Sequence, residues 1–172
     1  DTKLIQVDIE PEEIGRNRDV DLGINADCAE TLRALDAAAT DKNWPDHADW
    51  VLAARQASEI YGIMFGNEIS EAKTPIHPYV MADAVLQAAD RNTIVVADGG
   101  GTAFWMEMVA QVYQGGHWLS HGYMAQLGTG MPFAIAAQVA HPGKRVICVL
   151  GDGAVGFNFA EFDTMVRHQL PV

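Results

Sequence analysis

The stretch Arg145–Phe162, RVICVLGDGAVGFNFAEF, contains a segment rich in Val and Ile, 145–150, that stops abruptly at the glycines of Gly151–Gly153. Short runs of this kind bounded by glycines are typical of strands buried on both faces of a parallel sheet. Asn158, with Glu161 three residues later, has the spacing of a capping box and predicts a helix that begins at Asn158. The stretch therefore predicts a strand, a glycine loop and a helix, the repeating unit of an α/β fold.

The same alternation of helix and strand extends upstream of this unit. The preceding sequence predicts a helix over about 79–89, a strand over Thr93–Ala97, a helix over about 104–112 and a helix over about 131–139. A glycine- and histidine-rich loop joins the last two helices. Strands of Val and Ile separated by helices indicate a sheet covered on both faces. Residues 76–172 therefore predict most of a doubly wound, mostly parallel α/β domain.

Residues 1–39 predict the end of a preceding α/β domain. They contain a strand over Lys3–Ile9 and a helix over Asp27–Ala39 that starts with an Asp cap. Because strand-like residues stand at both ends of the chain, we expect it to be a piece of a longer polypeptide.

Residues 40–75 predict a linker between the two domains. Their composition is polar and charged, and they contain one predicted helix from Asp46 to about Phe65. We interpret Trp44 and Trp50 in this linker as packing anchors.

The composition of the chain excludes several classes of partner. With 49% apolar residues it can bury a packed core, and its net charge of −12 disfavours a surface that binds nucleic acid or an anionic membrane. No apolar run approaches the ~20 residues of a membrane span and the first residues do not resemble a signal peptide, so we expect a cytoplasmic protein. Cys28 and Cys148 lack metal-ligand spacing, and we expect Cys148, inside the last strand, to be buried and reduced.

The segment Gly151–Gly156 fits the G-x-G-x-x-G pattern of a dinucleotide-binding loop, but Asp152 does not suit that function. A pyrophosphate on such a loop is held by backbone N–H groups at a helix N-terminus. A carboxylate about 4 Å from one phosphate charge costs on the order of 4 kcal/mol at an effective dielectric constant near 20. A bridging Mg²⁺ turns this repulsion into attraction, because Mg²⁺ binds one or two carboxylates together with phosphate oxygens. Asp152 is therefore our candidate metal ligand.

Two other interpretations of this loop stay open. A dinucleotide site needs an acidic residue about 20 positions further on, near 171–176, and the sequence ends at Val172. Alternatively, Asp152 caps a tight turn, and the glycines only permit its geometry. A second glycine loop, Asp98–Gly101, favours ligand binding, because it also follows a strand and ligands bind beyond the carboxyl ends of parallel strands. We expect the two loops to form one crevice for a diphosphate.

Taken together, these segments resemble the thiamine-diphosphate (ThDP) enzymes of the acetolactate synthase and benzaldehyde lyase type. The family's signature is a strand, Gly-Asp-Gly and, further along, an Asn; GDGAVGFNFAEFDTMVRHQLPV matches its first part. VVADGGGTAFW resembles the first diphosphate loop, and SHGYMAQLGTGMPFAIAAQ resembles the loop and helix that receive the aminopyrimidine. LIQVDIEPEEIGRNRDVDLGINADCAETLRAL resembles the end of the family's middle domain. The resemblance implies that residues 76–172 are a ThDP diphosphate-binding domain, truncated at its C-terminus.

The resemblance also implies a set of cofactor-binding residues. The diphosphate and its Mg²⁺ would be bound by members of the two glycine loops: Gly100, Gly101, Thr102, Gly151, Asp152, Gly153 and Ala154. Leu127, with Gln126 beside it, would lie under the cofactor and force its two rings into a bent conformation. The bend brings the cofactor's own amino group next to the thiazolium C2 proton, so that deprotonation becomes intramolecular. A second interpretation, in which Leu127 is an ordinary core leucine at a helix start, stays open.

The sequence departs from the family pattern at two places. Ala154 stands where many relatives have Ser, and Gly101-Thr102 replaces a Gln-His pair usual in acetolactate synthases, which puts a strict acetolactate synthase assignment in doubt. The segment SHGY instead resembles benzaldehyde lyase and implies that His121 is a catalytic residue on the substrate side or a proton relay. His117 is a weaker candidate, and both histidines also fit polar loop residues. The activating glutamate and the Asn metal ligand of the family would lie outside this chain.

These features lead to a hypothesis about function. We expect part of a ThDP- and Mg²⁺-dependent homodimer or homotetramer, with active sites shared between subunits, that makes or breaks C–C bonds next to the carbonyl of a small-molecule substrate. 2-Keto acids, 2-hydroxy ketones and 2-hydroxyacyl thioesters are candidates; the last would imply an activity of the 2-hydroxyacyl-CoA lyase or oxalyl-CoA decarboxylase type. An additional FAD stays open. The rival hypotheses are an NAD- or FAD-dependent oxidoreductase that uses Gly151–Gly156 and a non-catalytic homologue.

Overall fold

The computed structural model describes residues 2–71 and 73–172. The chain folds into two compact units, residues 1–50 and 51–172. The boundary between the units lies inside the predicted linker. Among the described residues, no helix combines the length and the apolar character that crossing a membrane requires.

The described residues of the first unit form two strands, a short 3-10 helix (Pro11–Glu13) and an α-helix. Strand β1 (Ile5–Asp8) pairs in parallel with β2 (Leu22–Asn25). Helix α1 (Cys28–Ala39) begins after Asp27, because the Asp27 carboxylate accepts hydrogen bonds from two N–H groups of the first turn. The predicted first strand and capped helix are confirmed. Strand β2 is not predicted by the sequence, because its four residues include a glycine and form no strand-like pattern.

The predicted single helix over Asp46–Phe65 is wrong. Two shorter helices take its place, α2 (Ala48–Ser58) and α3 (Ile60–Met64), and a third, α4 (Gly66–Ser70), follows. Phe65 separates α3 from α4 with a non-helical backbone (φ −106°, ψ 13°), and two glycines weaken the helical preference of this stretch. Trp44 and Trp50 are 65% and 72% exposed, so their interpretation as packing anchors is also wrong.

The second unit alternates helices and strands, as the sequence predicts. From Pro78 onward, its α-helices and strands are α5 (Pro78–Ala88), β3 (Ile94–Asp98), α6 (Gly100–Val109), β4 (Trp118–Ser120), α7 (Gly130–Ala140), β5 (Val146–Leu150), α8 (Asp152–Phe157) and α9 (Glu161–Arg167). The short strand β4 lies in the stretch predicted to be a glycine- and histidine-rich loop, because three residues are too few to show a pattern in the sequence.

The sheet of the second unit has the strand order β4-β3-β5, and both neighbouring pairs are parallel. The central strand β3 is completely buried, because α5 and α6 cover one of its faces and α7 covers the other. Val95 packs with Met106 of α6 on the first side, and Val96 packs with Ala134 of α7 on the second. The structure thus confirms the predicted α/β fold with a parallel, doubly wound sheet.

Two helices of this unit begin earlier than the sequence predicts. Helix α6 begins at Gly100 instead of about Phe104, and α8 begins at Asp152, directly after the last strand. The predicted capping box is wrong, because Asn158 ends α8 and α9 starts at Glu161 without a side-chain cap. Both predicted glycine loops are therefore first turns of helices.

Candidate functional site

The N-termini of α6 and α8 lie side by side at the carboxyl edge of the sheet. A Cβ placed on Gly99 would lie 3.3 Å from the backbone nitrogen of Gly151, and one placed on Gly151 would lie 3.2 Å from Oγ1 of Thr102. Gly99 also has a φ of +92°, a backbone conformation that favours glycine. The structure therefore brings the two predicted glycine loops together, which is the geometry that one shared crevice requires.

Both helix starts present backbone N–H groups that lie outside the helical hydrogen-bond ladder. The first intrahelical bonds are those from Ala103 N–H to Gly99 O, at 2.9 Å, and from Val155 N–H to Gly151 O, at 3.0 Å. The three N–H groups before each of these donors have no acceptor within their helix. Such groups, together with the positive end of the helix dipole, attract anions. This arrangement suits a ligand with two phosphate groups.

Three glycines of these turns have no packing reason to be glycine. A Cβ on Gly100, Gly101 or Gly153 would meet no atom within 4 Å. Each has therefore open space beside its backbone, where a bound group can approach the N–H groups closely. The residues present thus fit a diphosphate, because the described protein atoms leave space open beside the backbone at all three positions.

Ala154 contributes to the site in a different way. Its side chain is only 2% exposed, and its Cβ lies 3.6 Å from the Cβ position of Gly99. The methyl group therefore packs between the two helix starts, and only the backbone N–H of Ala154 can serve an anion there.

Asp152 is the first residue of α8, and its side chain is exposed. In the part of the chain that the structure describes, no hydrogen bond or ion pair engages its carboxylate, and it does not cap the helix. The interpretation of Asp152 as a turn cap is therefore wrong. The described residues also form no group of three or more His, Cys, Asp or Glu side chains around a metal position. Asp152 fits a Mg²⁺ that takes its other ligands from phosphate oxygens and water.

Sequence reasoning missed the function of Asp98 within this site. Asp98 is fully buried at the end of β3 and accepts three backbone hydrogen bonds. Its Oδ1 accepts from Gly99 N–H at 2.6 Å, and its Oδ2 accepts from the N–H groups of Gly128 and Gly130 at 2.9 and 2.7 Å. An acidic residue directly after a buried strand was the available signal, but its partners lie about thirty residues away.

Leu127 immediately precedes the turn that Asp98 holds. Its side chain is 38% exposed, so the interpretation of Leu127 as an ordinary core leucine is wrong. The neighbouring Gln126 is exposed as well. The turn itself is bonded to Asp98, and the Gly128 carbonyl accepts a hydrogen bond from the side-chain amide of Asn158. The structure therefore places the candidate pyrimidine-side residues directly before a turn that is connected to the start of α6 and to the end of α8.

The two candidate histidines lie at opposite edges of the sheet. His121 follows strand β4, at the carboxyl edge, and is half-buried with its Nδ1 3.3 Å from Gly122 O. His117 precedes β4, at the amino edge, and its Nε2 lies 2.6 Å from Nζ of Lys144. Because the strands are parallel, only His121 lies at the same edge as Asp98 and the two helix starts.

An apolar cavity of about 470 Å³ opens beside the start of α6. It is lined by Gly101 and Thr102 together with residues that sequence reasoning did not single out: Ile76, Pro78, Met81 and Trp105. The proximity of Gly101 and Thr102 makes this cavity part of the surroundings of the candidate site.

Neither cysteine belongs to this site as a nucleophile. Burial, and secondarily the negative charge of Asp98, raise the pKa of the Cys148 thiol to about 12, so the thiol is protonated at neutral pH. Cys148 lies half-buried in β5, whereas Cys28 is exposed in the first unit.

The C-terminal part of the chain matches a known protein family. Residues 98–172 match a family model described as thiamine pyrophosphate enzyme, C-terminal TPP binding domain; thiamine pyrophosphate is another name for ThDP. The chain is 31% identical over 170 residues to the acetolactate synthase large subunit of Pyropia yezoensis, which covers 99% of the chain and 28% of that protein. It is 32% identical over 180 residues to 2-hydroxyacyl-CoA lyase 1 of Homo sapiens, with coverages of 100% and 31%.

A further relative has a similar coverage. The acetolactate synthase large subunit IlvG of Mycobacterium tuberculosis is 31% identical over 172 residues, or 99% of the chain and 30% of that protein. The chain thus spans roughly three tenths of the length of these relatives. It belongs to the family of ThDP-dependent enzymes and corresponds to a C-terminal portion of its members. This confirms the family resemblance drawn from the sequence.

Proposed function

We propose that this chain supplies the diphosphate- and Mg²⁺-binding part of a ThDP-dependent enzyme that makes or breaks C–C bonds next to a carbonyl group. The observation that carries the proposal is the pairing of two helix N-termini whose glycines leave open space. Asp152, on one of them, has a carboxylate that no side chain or backbone group engages among the residues that the structure describes. Membership in the family of ThDP-dependent enzymes supports the identity of the cofactor.

The residues of the two helix starts divide the binding of a diphosphate between them. The N–H groups of Gly100, Gly101 and Thr102 would hold phosphate oxygens from one side, and those of Gly153 and Ala154 from the other. Asp152 would bind Mg²⁺, which neutralises the diphosphate and removes the repulsion between the two anions. This division of labour explains why an acidic side chain stands at an anion-binding turn.

The ring end of the cofactor would lie at Gln126 and Leu127, directly before the turn that Asp98 holds. ThDP supplies the electron sink that stabilises a carbanion next to a former carbonyl carbon. The exposed Leu127 side chain would orient the rings, and His121, at the same edge of the sheet, would hold or move a proton on the substrate side.

The substrate is a small carbonyl compound in this proposal. The relatives are named acetolactate synthase and 2-hydroxyacyl-CoA lyase, which favours 2-keto acids, 2-hydroxy ketones or 2-hydroxyacyl thioesters. Gly101-Thr102, in place of the Gln-His pair usual in acetolactate synthases, favours a lyase or carboligase over a strict acetolactate synthase. We further propose that the protein is a cytoplasmic homodimer or homotetramer whose active sites are shared between subunits. FAD is a candidate for an additional ligand.

Cofactor retention tests this proposal against its rivals. The intact protein is purified, dialysed against EDTA, and then given ThDP, FAD or NAD with and without Mg²⁺, and bound cofactor is measured after gel filtration. The proposal predicts that ThDP is retained with Mg²⁺ and lost with EDTA. Retention of NAD or FAD without metal, and of no ThDP, would support an oxidoreductase instead. Retention of ThDP without turnover of any of the three substrate classes would support a non-catalytic homologue.

A further inference from the structure

We infer that Asp98 and Asn158 are positioning residues that clamp the turn Gly128–Gly130, which directly follows Leu127, to the start of α6 and to the end of α8. The inference rests on the proposed function, since it concerns how two parts of one ThDP site are held at a fixed distance. Asp98 acts from the end of β3, next to the start of α6, and Asn158 acts from the end of α8.

Asp98 connects the turn to the start of α6 through a single carboxylate. One oxygen accepts from Gly99 N–H, directly before the first residue of α6, and the other accepts from Gly128 and Gly130. Hydrogen bonds to an ionised, fully buried acceptor are among the stronger ones in proteins. A displacement of the turn relative to α6 would therefore break at least one of them.

Asn158 holds the opposite side of the same turn. Its side-chain nitrogen donates to the carbonyl of Gly128, whose N–H is already bonded to Asp98. The peptide groups of Gly128 are thus held by one side chain from each of the two elements that flank the diphosphate region. Asn158 is half-buried and forms no side-chain cap on the following helix, so this contact accounts for its side chain.

Close packing prevents the turn from sliding between these two bonds. A Cβ on Gly128 would lie 2.6 Å from Cβ of Phe157 and 3.1 Å from Nδ2 of Asn158. A Cβ on Gly130 would lie 2.7 Å from Cβ of Asp98. Both distances to a Cβ atom are shorter than ordinary contacts, so the turn sits as close to its two supports as glycine allows.

The clamp has a consequence for a ligand that spans both regions. A ThDP molecule would be held by its diphosphate at the helix starts and by its rings at Leu127. The clamp would therefore fix the distance between the diphosphate-binding residues and Leu127, so that a bound ThDP would be held at both ends. A ligand that consists of the diphosphate alone would not depend on this distance.

Two probes separate this function from a general effect on the fold. The dissociation constants of ThDP and of inorganic pyrophosphate, each with Mg²⁺, are measured on the intact protein and its Asn158→Ala variant, with Asn92→Ala as the control. Asn92 accepts a bond from Gln114 at the amino edge of the same sheet, away from the turn. The circular-dichroism band of the bound aminopyrimidine reports the ring conformation, and the unfolding midpoint reports the fold.

The clamp predicts that Asn158→Ala weakens ThDP binding about tenfold and alters the dichroism band, because one well-aligned hydrogen bond is lost. Pyrophosphate binding stays at the wild-type value, and Asn92→Ala changes neither. In Asp98→Asn, a side-chain N–H group must face a backbone N–H group. We therefore expect this variant to lose more ThDP affinity than Asn158→Ala does.

Other results would overturn the inference. An unchanged ThDP affinity and dichroism band in Asn158→Ala would remove the positioning function, and so would an equal loss for ThDP and pyrophosphate, which marks a purely structural contact. A wild-type protein that binds pyrophosphate but not ThDP, or binds neither, would instead refute the proposed function on which the clamp rests.

Discussion

Closely spaced glycines occur in two turns at the carboxyl edge of the sheet, and they are glycines for different reasons. At Gly128 and Gly130, an added Cβ would lie 2.6 Å and 2.7 Å from a Cβ atom of a neighbouring side chain. At Gly100 and Gly101, an added Cβ would meet no atom within 4 Å. The first pair is required by the packing of the chain itself, whereas the second pair leaves space that the chain does not use.

This difference teaches how a ligand-binding glycine is recognised in a structure. Both turns look alike in the sequence, since each follows or precedes a predicted element and each is rich in glycine. The steric surroundings distinguish the two turns. A glycine that is needed neither for its φ angle nor for close packing destabilises its helix, and no contact within the described fold compensates for that loss. Substitutions at Gly130 and Gly101 test this distinction between closely packed and open glycines directly.

Gly130→Ala should have the largest effect on stability. The new Cβ overlaps with Asp98 and pushes apart a turn that is held by buried hydrogen bonds. We expect a loss of about 3 kcal/mol in the free energy of unfolding, which urea denaturation measures. An unchanged urea midpoint would show that the turn is not closely packed.

His121 and His117 extend the comparison to two half-buried side chains at opposite edges of the sheet. We expect His121→Ala to lower kcat roughly 100-fold at an unchanged unfolding midpoint, the ordinary size of a lost acid–base group. His117→Ala should leave kcat unchanged and cost about 1 kcal/mol of stability, because it removes the partner of Lys144. Steady-state kinetics and thermal unfolding on the same preparations check both values, and a reversed pattern would contradict the assignment.

Gly101→Ala should lower ThDP affinity without lowering stability, whereas Gly130→Ala should lower stability. The methyl group meets no protein atom, so the unfolding free energy should stay constant or rise by up to about 1 kcal/mol. ThDP affinity, measured by calorimetry, should fall about tenfold, because the methyl group occupies the space of the diphosphate. Gly143→Ala, which also meets no atom within 4 Å but lies before the amino end of β5, is the matched control and should affect neither quantity. Equal ThDP affinities for all three proteins would contradict the account of open glycines.

Alkylation of Cys148 in the folded protein should be the smallest of the expected effects. Since burial raises the pKa of its thiol to about 12, the native protein should react with iodoacetamide at Cys28 only, as mass spectrometry of the peptides would report. The raised pKa means that the folded state binds the thiol proton more tightly than the unfolded state. Its stabilising effect is complete below the unfolded pKa of about 9 and is lost as the pH rises towards 12. Rapid alkylation of Cys148 in the folded protein would contradict the assignment of its burial.

The strands and most helices of the second unit can be predicted from the sequence, because their signals are local. Val146–Leu150 and Ile94–Asp98 read as buried strands from composition alone. The helix starts at Gly100 and Asp152 cannot be read in this way, because glycine is a poor helix former and its position after a strand determines its structure. Strand β4 is too short to carry a pattern.

In the candidate site too, local signals can be interpreted from the sequence, whereas contacts between distant segments cannot. The hypothesis that Asp152 binds a metal follows from an electrostatic conflict inside one short segment, and it stays a prediction. The function of Asp98 cannot, because its partners Gly128 and Gly130 follow about thirty residues later. Asn158 shows the reverse error: its local spacing to Glu161 predicts a helix cap, but a tertiary bond to Gly128 uses its side chain instead. Local rules fail here at the residues that hold distant segments together.

The central claim is that Asp152 makes an anion-binding turn attractive to ThDP through a bridging Mg²⁺, and one calorimetric comparison tests it. ThDP is titrated into the intact protein, Asp152→Asn and the control Asp163→Asn, an exposed residue paired with Arg167 on α9, with Mg²⁺ and with EDTA. We predict that Mg²⁺ strengthens ThDP binding by about 100-fold in the wild type and in Asp163→Asn, and has little effect in Asp152→Asn. An Asp152→Asn variant that binds ThDP as tightly as the wild type, with the same dependence on Mg²⁺, would contradict the claim.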